Sequence, residues 1–241
     1  MISIIIPTLN EGKELETTLR QFADGLKSIP YEIIISDGKS KDLTVEIAKK
    51  FTQKIAIYSG STRQTIAMAK NDGARLASGD YFAFMDADIT IPDVDNFFKR
   101  AVSDFENDKR LVGLGSKIRV LPELETFADR FFRTLHNTHN RFMNNILHLG
   151  TGPGEFQMVR AEAFKKIGGF NEKIIASEDH DFFSRLAKIG RTHFDRNLTV
   201  YEKGRRAHKV GWLKLMTIWT MNGISVSLFG HSVSKEWKEI R

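Results

Sequence analysis

The first 110 residues alternate between apolar runs of strand length and longer stretches whose apolar residues recur at helical spacing, and this alternation limits the fold more than any other feature. "SIIIP" (3–7), "YEIIISDG" (31–38), "KIAIYSG" (54–60) and "YFAFMDAD" (81–88) read as strands. Between them, residues 11–27 place Leu15, Leu19, Phe22 and Leu26 on one helical face, 40–51 form a helix with Ser40 as candidate N-cap, and 62–77 form another. Strands separated by helices pair in parallel through right-handed crossovers, so the expected class is α/β. In such sheets ligands bind outside the carboxyl ends of the strands. Three of those ends are polar here: "PTLNE", "SDGKS" and "DAD". They are expected along one edge, as one site.

The second half changes character. Residues 92–108 read as a helix after Pro92, 111–121 as a strand, and 124–148 as a long aromatic and basic helix. Residues 152–174 follow without an assigned element; 177–190 read as a helix opened by Ser177, and 191–204 as a strand with flanks.

Composition enters in two places. There are no cysteines, which removes disulfides and thiolate metal sites and suits a reducing compartment. The opening "MISIIIPTLNEGKE" lacks the pattern of a signal peptide, so a cytoplasmic location is expected, with the cytoplasmic face of a membrane as a second form of it. The net charge is +6, and from residue 201 onward eight Lys/Arg stand against three Glu, so the excess sits in the tail. A basic tail suits an anionic partner or is a solvated basic face. It carries no zinc pattern or recognition helix, so nucleic acid is not expected. Residues 210–229 hold twelve large apolar residues and one charge, Lys214. Polar interruptions favour an interfacial amphipathic helix over a membrane span, and a helix packed on the core is the equal alternative.

Asp86 and Asp88 are the first candidates for chemistry. Two like charges side by side raise the cost of ionising each other. On an extended strand residues i and i+2 share a side, so both carboxylates would face one ion, and hard oxygens with open positions suit Mg²⁺ or Mn²⁺. The plain alternative is a pair of strand-end carboxylates satisfied by turn or helix amides. Thr8, Asn10 and Glu11 follow strand one, and Asp37 sits in a glycine-containing turn after strand two. Neither loop is a G-x-G-x-x-G or a G-x-x-x-x-G-K-[ST] phosphate motif, which removes support from dehydrogenase and ATPase readings.

"SIIIPTLNE", "IISDGKSKDLT", "KNDGARLASGDYFAFMDAD", "GGFNE" and "EDHDFFSRLAKIG" occur in the order of similar segments in family 2 glycosyltransferases. These are inverting, nucleotide-sugar-dependent enzymes with the GT-A fold, and the resemblance covers about residues 2 to 205. It implies a Rossmann-like, mostly parallel sheet flanked by helices in a domain over 1–205, with a nucleotide-sugar half (1–110) and an acceptor half (111–205). A helical tail, 206–241, follows. It implies that Pro7, Thr8, Asn10, Glu11 and Asp37 hold the nucleotide, with Lys70, Asn71 and Gly73 nearby. Asp86 would face the ribose and metal, and Asp88 would ligate a Mn²⁺ or Mg²⁺ ion on the diphosphate. Asp179 resembles the base, with Glu178 orienting the acceptor or raising the pKa of its neighbour. The alternative for this pair is ordinary first-turn acidic residues on a helix dipole. Arg205 and Arg206 are candidates to clamp a diphosphate or an acceptor phosphate, and His208 is a candidate third metal ligand. The donor implied is a UDP- or GDP-sugar, and the acceptor a hydroxyl that is lipid-linked or on a cell-surface glycan. A nucleotidyltransferase acting on a sugar phosphate is the rival reading.

Overall fold

The computed structural model describes residues 1–236. Seven strands form one sheet in the order β3-β2-β1-β4-β6-β5-β7. β1 (Ile2–Thr8) lies between β2 (Tyr31–Asp37) and β4 (Tyr81–Met85), parallel to both, and β2 carries the short β3 (Ile55–Ile57) on its outer edge. β5 (Leu111–Val120) and β7 (Arg191–Glu202) pair in parallel with each other. β6 (Phe156–Arg160) runs against both of its neighbours, β4 and β5, and is the one reversed strand.

Period-2 alternation in β1 explains the layering. Ile4 and Ile6 point into a core with Leu15, Leu19 and Phe22 of α1 (Leu15–Gly25) and Phe97 and Phe98 of α4 (Val94–Asn107). Ile5 points to the other face, where α3 (Ile66–Arg75), α6 (Ala161–Lys166) and α7 (Glu178–Ala187) cover Phe82 and Phe84. α2 (Thr44–Ala48) joins β2 to β3. α5 (Phe127–Asn145) starts with a Thr126–Asp129 capping box, and α8 (Arg205–Val210) and α9 (Trp212–Phe229) form the tail.

Several expected boundaries shift. β4 stops at Met85, so Asp86 and Asp88 lie in the turn beyond the strand rather than on it. Ser40 does not cap α2, which begins after Leu43; its amide and hydroxyl are held by Asp37. Ser177 does occupy the N-cap of α7, but in the left-handed region (φ 65°) and without a side-chain cap bond. From Trp212 on, the apolar stretch 210–229 forms one helix, α9, set off from the basic α8 by Gly211, whose φ of 87° suits glycine. Among the described residues no helix is long and apolar enough to cross a membrane.

Candidate active site

A cleft of about 980 Å³ opens at the carboxyl edge of β1 and β4, roofed by α7, α5 and the tail. Its floor is set by two interlocked loops. Thr8 Oγ1 donates to Asp37 Oδ2 (2.9 Å), and the amide and hydroxyl of Ser40 donate to the two Asp37 oxygens (2.8 and 2.6 Å). Asn10 takes a left-handed φ of 56° and completes the lock, its Oδ1 accepting from the Lys41 amide at 2.9 Å. Pro7, Thr8 and Glu11 therefore line the cleft, while Asn10 and Asp37 hold the loops from behind.

Asp86 and Asp88 stand on this floor. Burial, and then the charge of Asp88, push Asp86 well above the usual carboxylate range, with Glu155 and Glu202 adding to the effect. Arg205 Nε and Nη2 both donate to Asp88 Oδ2 (3.0 and 2.6 Å), and Nη2 lies 3.5 Å from Glu11. The arginine thus fastens the start of α8 to the carboxylate turn.

Across the cleft, the first turn of α7 carries Glu178 and Asp179, and their environments diverge. Glu178 Oε1 accepts from Lys70 Nζ at 3.0 Å, in a pair almost wholly withdrawn from water, and Phe170 lies under the ammonium at 4.9 Å. Burial disfavours charge on Lys70, but Glu178, Asp179 and Asp86 together hold it above its ordinary value. Asp179 has no such direct cation. Burial and the charge of Glu178 raise it to about 7, against the pull of Lys70 and of the His180 amide that donates to Oδ1 at 2.8 Å. The two adjacent carboxyls are split: one fixed as a counterion, one poised to exchange a proton near neutrality.

The α5 side contributes groups that sequence reasoning did not single out. Arg133 is buried, with Glu155 (2.6 Å) and Glu202 as its carboxylate partners, and its guanidinium lies over the rings of Trp212 and Trp219. Burial disfavours its charge, and the two glutamates restore it. His136 lies against Trp219, and burial followed by the charge of Arg133 lowers it to about 4, so it is neutral at pH 7. A polar row at 129, 133, 137, 140 and 144 was the available signal: it repeats at helical spacing in a helix otherwise rich in phenylalanine.

The family model for Glycosyl transferase family 2 matches residues 3–168. The chain belongs to this family. The succinoglycan biosynthesis protein ExoA of Rhizobium meliloti is 27% identical over 198 residues, 78% of this chain and 58% of the relative. The dolichol-phosphate mannosyltransferase of Pyrococcus furiosus is 34% identical over 93 residues, 38% of this chain and 26% of the relative. The chain thus spans about three-fifths or less of the length of these two curated relatives. Among solved structures, a mannosyltransferase from Pyrobaculum calidifontis in complex with GDP-Man and Mn²⁺ superposes with a TM-score of 0.72 at 19% identity, over 92% of this chain and 61% of that one. Glucosyl-3-phosphoglycerate synthase from Mycobacterium tuberculosis, in complex with Mg²⁺ and UDP, gives 0.62 at 18%, over 97% and 81%. At such identities the likeness establishes the fold, which is GT-A, as the sequence led us to expect.

For a family 2 glycosyltransferase, the structure gathers most of the residues its motifs point to. Lys70, Asp86, Asp88, Glu178 and Asp179 share the cleft with Arg205 and Arg206. Besides Asn10 and Asp37, which hold the loops from behind, two others turn elsewhere. Asn71 holds the 170–172 loop, donating to the Phe170 carbonyl and Glu172 (both 2.9 Å). His208 Nε2 is 2.9 Å from Asp129 Oδ2, outside the cleft lining. Among the described residues no cluster of three or more His, Asp or Glu side chains is arranged to hold a metal ion. Two carboxylates with a surplus of acidic neighbours do suit a divalent ion that takes its other ligands from a diphosphate and water.

Proposed function

We propose that this chain transfers a sugar from a UDP- or GDP-linked donor to a hydroxyl acceptor with inversion at the anomeric carbon. The observation that carries this reading is Asp179, raised to about 7 and facing the same cleft as Asp86 and Asp88. The acceptor O–H loses its proton to Asp179 as its oxygen bonds to the anomeric carbon, and the bond to the diphosphate breaks with its electron pair leaving on oxygen. Glu178, pinned by Lys70, raises the proton affinity of the base and holds the first turn of α7 in place. Arg205 and Arg206, which line the cleft, would hold the diphosphate. Asp86 and Asp88 would hold Mn²⁺ or Mg²⁺, whose positive charge would stabilise the leaving diphosphate. We leave His208 out of that set because Asp129 engages it.

The printed complexes of the fold neighbours, with GDP-Man and Mn²⁺ and with UDP and Mg²⁺, support the donor class and the metal. The name of the Pyrococcus relative supports a lipid-linked acceptor, which would place the reaction at the cytoplasmic face of a membrane. The comparisons offer no support for a nucleotidyltransferase. The test is calorimetric titration of UDP and GDP with and without Mn²⁺, on the wild type and on Asp179→Asn. We expect one nucleotide to bind only with metal, and Asp179→Asn to bind it equally while turnover drops by at least about a hundredfold. Full turnover by Asp179→Asn would remove the base assignment.

A further inference from the structure

α5 is built inside out. Its buried row is polar: Asp129, Arg133, Asn137, Asn140 and Asn144. Each is fastened to the body of the protein. Asp129 accepts from Trp212 Nε1 at 2.7 Å, Arg133 meets Glu155, and Asn137 brackets Ile118, donating to its carbonyl (2.9 Å) and accepting from its amide (3.0 Å). Asn144 donates to the Thr151 carbonyl at 2.6 Å, and Thr151 Oγ1 meets Asn140 at 3.5 Å. The apolar row points outward. Phe127, Phe131, Leu135, Phe142 and Ile146 recur at intervals of three to four residues or their sum, and Phe127 is 84% exposed. An ordinary surface helix buries that row.

α9 repeats the pattern beside it. The two helices join through the Phe132–Trp212 stack and the His136–Trp219 contact. α9 is apolar on every side, yet only one side is covered; Leu213 and Leu228 are 76% and 70% exposed, with Met221 and Ile224 between them. A helix apolar all round belongs inside a protein or in lipid.

The exposed charges on these two helices have one sign, and the nearest exposed acids along the chain are Glu123 before α5 and Glu236 after α9. From Gly204 to Lys235 the chain contains no Asp or Glu, and Lys209, Lys214 and Lys235 are exposed. Between Phe127 and Leu149 the only acid is Asp129, which is fully buried, while Arg130 and Arg141 are exposed. Exposed large apolar side chains with cations, and no exposed anion on either helix, complement a bilayer surface that carries acidic lipid. A second copy of the chain would bring the same cations face to face. Leu135 and Thr220 belong both to this surface and to the rim of the cleft, so the cleft opens at its edge.

We propose that the outward faces of α5 and α9 dock on an anionic membrane surface, bringing the mouth of the cleft to the lipid headgroups. The proposal stands without the sugar-transfer reading, since binding is measured with no donor present. The test sediments the full chain with vesicles of phosphatidylcholine alone or mixed with phosphatidylglycerol. We expect binding to the mixed vesicles, weakened by salt, and little binding to phosphatidylcholine. Phe131→Ser with Leu228→Ser is expected to weaken it by at least about tenfold, as removal of two inserting side chains implies. Arg141→Glu with Lys214→Glu is expected to do the same through charge. Nucleotide titration and circular dichroism of both double variants should match the wild type, since none of these residues lines the cleft. A wild type that stays in solution, or double variants that bind as well as it does, would overturn the proposal. So would a wild-type dimer that the serine variant makes monomeric in sedimentation equilibrium while vesicles bind neither.

Discussion

Glu178→Gln tests how the cleft divides its protons. In the wild type Asp179 sits at about 7, raised by burial and then by Glu178, with Lys70 pulling the other way. The substitution removes the like charge and leaves the buried ammonium of Lys70 with a neutral acceptor in place of its anionic partner, so both changes favour an ionised Asp179. Two unit charges interact by about 4 kcal/mol at about 4 Å and an effective dielectric of about 20, and by less at the wider spacing of neighbouring side chains, so roughly one to two pKa units are at stake. The Asp179 titration should therefore fall by about one to two units, and with it the acidic limb of the rate profile. Stability responds in two directions. Breaking a buried ion pair costs about 3–5 kcal/mol. A raised carboxylate destabilises the fold as pH rises from its unfolded value toward 7, and easing that by one to two units recovers about 1.4–2.7 kcal/mol. The net loss is about 1–2 kcal/mol, a fall in Tm of roughly 5 °C for a chain of this length. Carbon-13 titration of the Asp179 carboxyl measures the shift without any knowledge of the acceptor. A midpoint unmoved near 7, or moved upward, would refute this account of the pair.

Asp88→Ala should abolish metal-dependent nucleotide binding in calorimetry, because it removes the proposed ligand and leaves Arg205 with Glu11 as its neighbouring carboxylate. Gly73→Ala places a Cβ 2.5 Å from Ile5 Cγ2, where α3 crosses β1. Overpacking of about 1–3 kcal/mol there should exceed the helix-propensity gain of up to about 1 kcal/mol, so thermal melting should come earlier. Trp212→Phe removes the 2.7 Å donor to Asp129, whose pKa is held down to about 2: burial opposes its charge, but bonds from Thr126, His208 and Trp212 prevail. A depressed carboxylate contributes stability above its unfolded value near 4 that is lost as pH falls toward 2, here about 2 kcal/mol. The variant should melt lower at pH 7, and the gap should close as the pH is lowered through that window.

The parallel half of the fold was readable because each of its strands is an apolar run ended by a turn, and the site because its loops follow those strands. β6 was not read: "FQMVR" is short and sits between a glycine-rich loop and a short helix, and nothing local marks a reversed strand inserted between β4 and β5. The length of α5 was plain, but its orientation was not. Periodicity shows that a helix has an apolar side and assumes that side is buried; here Arg133 and the asparagines found partners in Glu155, Ile118 and Thr151, so the polar side is the inner one. Arg133, Glu155 and Glu202 are 22 and 47 residues apart along the chain, further than any local motif reaches. The fate of His208 depended in the same way on Asp129, a capping-box residue in the first turn of α5, 79 residues earlier.

The bond between Lys70 and Glu178 joins residues 108 positions apart. One belongs to the half that would receive the donor, the other to the half that would receive the acceptor. Recombination that exchanged either half for that of a cousin would have to carry a matching partner across the seam. Diversification of such a chain is then easier by revising loops around an inherited pair than by trading whole halves, and a chimaera made at residue 110 should work only where both parents keep an ammonium and a carboxylate at these two places.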